Sequence, residues 1–236
     1  MPRPDGRSSD QLRPLVLERA ANPYAEGSCF IRMGGTLVHC TATVEPGVPG
    51  FKKGSGEGWV TAEYAMLPRA TLERTPRERT GPGGRTQEIQ RLIGRSLRAS
   101  MATMAFGEFT MRVDCDVLQA DGGTRTASIT GGCVALADAC AWLAEKTKIG
   151  SPFGRLVSAI SVGIVERELR VDLAYLEDRD AGVDANVVML EPAQFVEVQG
   201  TGEHGTFSRA ELATLLDLAE RACTELFAAQ RRALGW

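Results

Sequence analysis

Histidine is scarce in this sequence of 236 residues, and closely spaced cysteine pairs are absent. His39 and His204 are too few for a histidine-rich zinc site, and a Ser-His-Asp triad would need one of them at its centre. The six cysteines stand within apolar patterns without CxxC spacing, so we expect reduced core residues rather than ligands or disulfides. They are Cys29, Cys40, Cys115, Cys133, Cys140 and Cys223.

A long apolar run is also missing. Residues 1–19 are rich in Arg, Pro and Asp and lack the apolar stretch of a secretory signal peptide. The most apolar segment, residues 129–144, contains Asp138 and is too short to cross a bilayer. We therefore expect a cytoplasmic protein. No linker-like segment divides the chain, so we expect a single domain over residues 1–236, with the parts 1–150 and 151–236 tightly fused.

The charges nearly balance overall but are unevenly distributed. The net charge is −3, yet residues 69–98 carry eight arginines and three glutamates, a net +5, which leaves −8 for the rest of the chain. All basic residues of that segment are arginine, whose planar fork suits phosphate. A solvated loop with helix-face ion pairs would show a similar pattern, but we favour a polyanion-binding segment.

The periodicity of apolar residues predicts an α+β fold without the βαβ alternation of a doubly wound sheet. An antiparallel meander of strands is predicted at 14–19, 28–33, 37–44 and 59–64, and further strands at 109–119, 156–165, 169–175, 187–190 and 195–198. Helices are predicted at 86–104, 126–145 and 209–233, the last one opened by a capping box of Ser208 and Glu211.

Two glycine pairs, each followed closely by an arginine, stand where helices are predicted to begin. They are Gly83-Gly84-Arg85 and Gly122-Gly123-Thr124-Arg125. A helix N-terminus offers free N–H groups and the positive end of the helix dipole, and glycine lets an anion approach them closely. Glycine before a helix is also ordinary turn chemistry. Its repetition beside an arginine-rich segment indicates a phosphate cradle.

An acidic segment, residues 177–184, lies between two predicted strands and contains Glu177, Asp178, Asp180 and Asp184. Mg²⁺ is typically held by one or two carboxylates together with substrate phosphates, and a carboxylic acid can protonate a leaving oxygen. An acidic surface turn accounts for the spacing equally well. The residues alone leave both interpretations open.

A third glycine-rich motif, residues 200–205, matches the G-x-G-x-x-G pattern between a predicted strand and a predicted helix. A dinucleotide site also needs a second strand after the helix, with an acidic residue about 20 positions on. The chain instead reaches Trp236 on the helix itself. We interpret these glycines as a strand-to-helix turn.

With these residues described, the sequence closely resembles the bacterial ribonuclease PH family, from about Asp5 to Gln230. The longest and most specific matching run covers residues 114–131, DCDVLQADGGTRTASITG. Shorter runs are DGR at 5–7, RP at 13–14, GWVTAEY at 58–64, GRTQEI at 84–89, residues 184–188 and EVQGT at 197–201. Two positions depart from the family pattern: Ala185 stands where Met is usual, and Gly50 where Arg is common.

The resemblance implies a fold like domain 2 of ribosomal protein S5, assembled as a hexameric ring built from dimers. It implies a phosphorolytic 3′-to-5′ exoribonuclease that trims transfer RNA precursors, and also ribosomal RNA, in a reversible reaction releasing nucleoside 5′-diphosphates. Inorganic phosphate would be the co-substrate, bound by Arg85, Gly123, Thr124 and Arg125. Asp178 and Asp184 would bind Mg²⁺ or act as the general acid. Arg69, Arg74 and Arg77 would contact RNA and neighbouring subunits.

Two other functions remain to be weighed. A non-catalytic RNA-binding subunit of an exosome-like ring would lack one or more of these arginines and aspartates, whereas all four are present. A hydrolytic nuclease using two metal ions would need more clustered carboxylates and no phosphate cradle. The predicted site therefore favours the phosphorolytic enzyme. A polynucleotide phosphorylase is excluded by size, because the chain holds one catalytic unit.

Overall fold

The computed structural model describes Arg3 and residues 5–236, which form two β-sheets and four α-helices around a shared core. The first sheet contains β1 (Leu15–Arg19), β2 (Gly27–Met33), β3 (Thr36–Pro46), β4 (Trp59–Met66) and β5 (Phe109–Gln119). The second contains β6 (Val157–Val165), β7 (Glu168–Val171), β8 (Val183–Leu190) and β9 (Gln194–Gly202). The helices are α1 (Gly84–Ala99), α2 (Thr124–Thr147), α3 (Tyr175–Asp180) and α4 (Arg209–Leu234). The predicted α+β class is confirmed.

The first sheet is not the four-stranded meander that the sequence predicted. Its strand order is β1-β2-β3-β5-β4, and β5 inserts between β3 and β4. β4 pairs in parallel with β5, because α1 carries the chain back across the sheet between them. Alternating apolar residues identify a strand but not its partner, so the pattern located β4 correctly and its neighbour wrongly.

Several predicted elements have different bounds in the structure. The strands predicted at 187–190 and 195–198 are longer, Val183–Leu190 and Gln194–Gly202. α1 ends at Ala99 instead of residue 104, because the Ser100 carbonyl oxygen accepts hydrogen bonds from the N–H groups of Gly154 and Arg155. Met101 and Met104 still pack against the core beyond the helix, which explains the longer apolar periodicity. The strand predicted at 169–175 ends at Val171, since Asp172 adopts a left-handed backbone with φ of 54° before α3 begins.

The long helix α2 is the centre of the core. By length and composition it is the one helix in the described part of the chain that could cross a membrane, but 78% of its most apolar window is buried inside the protein. It contacts β2 and β3 of the first sheet and β6 of the second. One cluster of buried apolar residues accordingly includes Ile31 from the first sheet and Val187 from the second.

The predicted core residues and caps agree with the structure. All six cysteines are free and buried. The Ser208 and Glu211 capping box opens α4, with the Glu211 N–H donating to Ser208 Oγ at 3.2 Å. On the inner side of α4, buried Gln230 donates from Nε2 to the carbonyl oxygens of Thr130 and Val157 at 2.8 and 2.9 Å. The terminal helix thereby joins α2 to the second sheet.

The approach of β2 to α2 predicts a sensitive glycine. A Cβ atom added at Gly27 would lie 1.9 Å from the Ala135 backbone oxygen, so Gly27→Ala must push the strand and helix apart. We expect a loss of at least about 2 kcal/mol in the free energy of unfolding, as for other overpacked cores. Gly50→Ala is the matched control, because nothing lies within 4 Å of its added Cβ, and it should change stability by less than about 0.5 kcal/mol. Equal denaturation midpoints for the two variants would contradict this packing.

Candidate functional site

Both predicted glycine pairs open helices, and neither helix has a side-chain cap, but a carboxylate lies at the start of one of them. At α1, the Glu78 carboxylate accepts hydrogen bonds from the Gly83 N–H at 3.1 Å and from Thr86 Oγ1 at 3.0 Å. At α2, whose first N–H groups are likewise uncapped, no carboxylate of the described residues accepts such bonds. The sequence did not distinguish the two termini, and the structure favours that of α2 as the anion site.

The turn before α2 requires glycine at two successive positions. Gly122 and Gly123 have φ of 76° and 65°, a left-handed backbone that residues with a Cβ rarely adopt. A Cβ at Gly122 would also lie 2.4 Å from the Leu173 carbonyl oxygen, on the segment that leads to α3. The turn therefore packs directly against the second sheet's connection to α3, and this contact brings the two halves of the site together.

Arg85 and Arg125 lie in the first turns of α1 and α2, and the charges of both act on the hydroxyl of Tyr64. Tyr64 Oη and Thr124 Oγ1 are 2.8 Å apart. Burial raises the pKa of Tyr64, while the hydrogen bond with Thr124 and the charges of Arg85 and Arg125 oppose that rise. Arg125 is half-buried with its guanidinium 3.6 Å from Glu88, and Arg85 is exposed. Four predicted groups, the two arginines with Gly123 and Thr124, thus converge.

Asp178 and Asp184 reach the same place from different elements. Asp178 lies on α3, and Asp184 lies on β8 opposite Gly163 of β6 and Thr201 of β9. Burial and the neighbouring Asp178 raise the pKa of Asp184 to about 6, against the attraction of Arg125 and Arg85. Burial likewise raises the pKa of Asp178, opposed by Arg125 and Arg85. The two carboxylates and the two arginines therefore form one electrostatic cluster.

The predicted acidic loop is not a loop, and its four carboxylates separate. Residues 175–180 form α3, and Asp184 stands within a strand. Glu177 points into the protein, where Arg3 donates to it through Nε and Nη2 at 2.8 Å each. Asp180 is exposed and pairs with Arg179. The helical turn of α3 sends adjacent side chains in different directions, so only two of the four reach the site.

Two residues of the site were missed in the sequence. Glu203, in the turn after β9, raises the pKa of both Asp178 and Asp184 through its charge. It belongs to the glycine-rich motif that we interpreted as a turn, and the register of β8 with β9 brings that turn beside Asp184. Arg13 is buried and contacts the turn before α2. The 13–14 run in the family resemblance was the one signal for Arg13.

The carboxylate pair is suited to a divalent cation. Asp184 Oδ1 is buried and lacks a hydrogen-bond partner within the described residues. This oxygen is therefore free to coordinate a cation. Across Arg3 and residues 5–236, no group of three or more His, Cys, Asp or Glu side chains is arranged to hold a metal. Two carboxylates with water and substrate phosphates as further ligands are the usual environment of Mg²⁺.

The predicted arginine loop lies outside this cluster. Arg69, Arg74 and Arg77 are exposed in the connection between β4 and α1, and none forms an ion pair with any described residue. None of them is among the charges that act on Asp178 or Asp184. Their guanidinium groups are available for an external anion.

Comparison with known proteins assigns the chain to a family. Residues 11–141 match the model of the 3′ exoribonuclease family, domain 1, and residues 155–222 match domain 2. The chain is 56% identical to ribonuclease PH of Corynebacterium diphtheriae, over 98% of this chain and 97% of that protein. It is also 56% identical to ribonuclease PH of Mycobacterium avium, over 98% and 91%.

Two solved structures share the fold at lower sequence identity. Rice Rrp46 superposes with a TM-score of 0.80 at 21% identity, covering 98% of this chain and 100% of that one. A chain of the Archaeoglobus fulgidus exosome with RNA bound to the active site superposes with a TM-score of 0.79 at 22% identity, covering 95% and 91%. These similarities support the expected S5 domain 2-like fold.

The raised pKa of Asp184 predicts how its charge affects stability. The folded pKa of about 6 exceeds the ordinary 3.8, so ionisation disfavours the folded state as pH rises from about 4, and the full cost applies above about 6. Asp184→Asn should therefore stabilise the metal-free protein at about pH 8, by on the order of 2 kcal/mol, and have no effect below about pH 4.

Thermal melts with a chelator present would measure this difference. Asp180→Asn is the matched control: the hydrogen bond from Arg179 lowers the pKa of Asp180, so this variant should show no gain at high pH. A gain for Asp184→Asn that is independent of pH would contradict the electrostatic origin.

Proposed function

The chain belongs to the ribonuclease PH family of 3′ exoribonucleases, and we propose that Arg85, Arg125, Asp178 and Asp184 form its phosphorolytic active site. The protein is a phosphate-dependent enzyme that removes nucleotides from RNA 3′ ends. The observation that carries the residue assignment is the juxtaposition of an uncapped helix N-terminus and two arginines with a buried carboxylate pair. One side of this cluster is suited to an anion, and the other to a proton or a cation.

Phosphate binding is assigned to the first turn of α2 and the two arginines. Gly123 allows an anion to approach the N–H groups of Thr124 and Arg125, where the helix dipole favours negative charge. Arg85 and Arg125 supply charge-assisted hydrogen bonds from two sides. The Glu88 carboxylate, 3.6 Å from Arg125, restricts the orientation of that guanidinium without the bidentate geometry that would occupy it.

In the proposed reaction, a phosphate oxygen attacks the terminal phosphodiester phosphorus and the bond to the 3′ oxygen breaks. The departing oxygen takes a proton, and the products are a shortened RNA and a nucleoside 5′-diphosphate. Asp184 is suited to carry that proton, because its pKa of about 6 lies near neutral pH. The arginines and the α2 dipole reduce the repulsion between the two reacting anions. The reaction runs backwards when diphosphates are abundant.

As the alternative to proton transfer by Asp184, Asp178 and Asp184 would together hold Mg²⁺, which would supply neutralisation of the phosphodiester's charge; a bound cation would lower the pKa of Asp184, so that carboxylate has one role or the other. Asp178 and Asp184 repel each other, and a bound cation would relieve that repulsion. The unpartnered Oδ1 of Asp184 offers the ligand atom.

A non-catalytic subunit of an exosome-like ring is the alternative, since the solved structures that share the fold include exosome chains. Those similarities are at 20 to 22% identity, against 56% to ribonuclease PH. A non-catalytic subunit would have no functional reason to keep a buried carboxylate at Asp184, because its ionised form destabilises the folded protein. A two-metal hydrolytic nuclease is disfavoured because the described residues contain no cluster of three carboxylates.

We further propose that the enzyme works as a hexameric ring on transfer RNA precursors. One chain carries its basic segment, residues 69–98, on an otherwise acidic protein. A closed ring would bring several such segments around one opening, where they can hold a structured RNA while its single-stranded 3′ end reaches the aspartates. The exposed Arg69, Arg74 and Arg77 have no ion-pair partner among the described residues that would compete with RNA.

The phosphate requirement gives the direct test. With inorganic phosphate, the native enzyme should release nucleoside diphosphates, whereas a hydrolytic enzyme would release monophosphates and a binding subunit nothing. Arg125→Ala should raise the phosphate KM by about 10-fold to 100-fold, which corresponds to the roughly 1.5 to 3 kcal/mol of a charge-assisted hydrogen bond. RNA binding should change little, and high phosphate should restore part of the rate.

Asp184→Asn serves as the folded, inactive control in the same assay. It keeps the shape of the side chain and removes the acid, so it should bind RNA and lose nearly all turnover in both directions. An unchanged phosphate KM in Arg125→Ala would show that the phosphate binds elsewhere.

A second test concerns the arginine loop. Replacing Arg69, Arg74 and Arg77 together by Ala should weaken binding of a transfer RNA precursor and flatten its dependence on salt, because fewer counterions are released. Cleavage of a short unstructured oligonucleotide should suffer less. Light scattering establishes whether the ring survives. Equal losses on both substrates with an intact ring would exclude a role of this loop in recognising structured RNA.

A further inference from the structure

Arg3 and Arg13 belong to a buried network of ion pairs at the junction between the two sheets. The side chains of Arg3 and Arg13 are nearly inaccessible, as are the carboxylates of Asp172 and Glu177 that they contact. Arg170 donates to Glu177 at 3.1 Å as well. Buried ion pairs of this kind have strict geometry, because each charge must be matched by hydrogen bonds in a medium of low dielectric constant. None of these residues is among the groups proposed above to bind phosphate or the metal ion or to carry the proton.

The network ends on the turn that opens α2. Arg13 donates to the carbonyl oxygens of Asp121 and Gly122, while its Nε and Nη2 hold the Asp172 carboxylate at 3.0 and 2.6 Å. Thr36, fully buried at the start of β3, donates from Oγ1 to the Gly122 oxygen at 2.7 Å and accepts from the Asp121 N–H at 2.9 Å. Two elements thus fix the peptide immediately before Gly123.

The same turn is joined to the helix that carries Asp178. The Tyr175 N–H, in the first residue of α3, donates to the Asp121 carboxylate at 3.3 Å. Glu177, next to Asp178, accepts from the Ala174 N–H at 3.1 Å, and the hydrogen bond from Arg3 holds the pKa of Glu177 low although burial raises it. Arg13 and Asp172 act at the phosphate side of this junction, and Arg3 and Glu177 act at the carboxylate side.

We propose that Arg13 and Thr36 are positioning residues of the phosphate site, and that Glu177, held by Arg3, is the corresponding positioning residue for Asp178. The proposal rests on the function proposed above. Neither group touches the reacting atoms. Arg13 and Thr36 determine where the open N–H groups of α2 point, and Glu177 determines where α3 presents its carboxylate.

This division of roles gives two different kinetic signatures. Arg13→Lys keeps the charge but loses the planar fork that reaches both Asp172 and the turn, and Thr36→Val removes both hydrogen bonds without changing charge. Each should raise the phosphate KM, by between about 10-fold and 100-fold for Arg13→Lys, since small displacements of binding groups have effects of that size. Glu177→Gln should lower kcat by about 10-fold or more and leave the phosphate KM unchanged.

The measurement is the full phosphate dependence of phosphorolysis on a short oligonucleotide, with the folded and assembled fraction determined by melting and light scattering. Arg19→Lys is the matched control: Arg19 also binds an aspartate through both oxygens, Asp138 at 2.8 Å each, but it lies half-exposed and outside this network. It should leave both constants unchanged. A purely structural role would leave the phosphate KM unchanged in Arg13→Lys and Thr36→Val, and it would leave kcat per folded, assembled enzyme unchanged in Glu177→Gln; either result would overturn that part of the proposal.

The outcomes separate this proposal from the one on which it rests. If Arg125→Ala raises the phosphate KM while folded Arg13→Lys and Thr36→Val do not, the positioning role is wrong and the active site stands. If Arg125→Ala itself leaves that constant unchanged, the phosphate site is wrong. If Arg13→Lys fails to fold, Thr36→Val alone decides. An increase of phosphate KM in the Arg19→Lys control would also overturn the proposal.

Discussion

The packing of α2 against both sheets is the constraint on which the rest of the structure depends. The helix is buried from Thr126 to Cys140 except at Asp138, between β2 and β3 on one side and β6 on the other. A buried helix has no freedom to shift along its axis, because its side chains interdigitate with those of the sheets. Its N-terminus is therefore held at the junction of the two sheets, and the left-handed turn at Gly122 and Gly123 follows from the need to enter the helix there.

Opposite charges meet at that junction, and each is costly by itself. Asp184 is a buried carboxylate with an unpartnered oxygen and a neighbouring like charge, both of which destabilise its ionised form. Arg125 and Arg85 offset part of that cost. Keeping such a group lowers the stability of the folded protein, and losses of this kind are common at active sites, where function requires the destabilising residue. The substrate phosphates and a cation would complete the balance of charge.

The N-terminal segment shows that the site extends beyond the two family domains in which its reactive residues lie. Arg3 and Arg7 precede the first matched residue, and Arg13 lies just inside it. All three nevertheless contact Asp172 or Glu177, which are far along the chain. A segment whose sequence signal was the two short family runs at 5–7 and 13–14 thus contributes buried charges to the junction between the sheets.

Local sequence determined what depends on neighbouring residues alone. It located most strands and helices within a few residues, the Ser208 and Glu211 cap, the reduced cysteines and both glycine pairs at helix starts, because these follow from periodicity and backbone chemistry over a few positions. The glycine pairs followed by Arg85 and Arg125 indicated a phosphate cradle from the residues themselves, whereas the choice of Asp178 and Asp184 came from family resemblance. Only the tertiary structure decided that β4 pairs with β5, that Glu78 occupies the end of α1, and that Glu203 and Arg13 reach the site. These contacts join residues distant in sequence, and they depend on strand register and on the burial of α2, which no local pattern encodes.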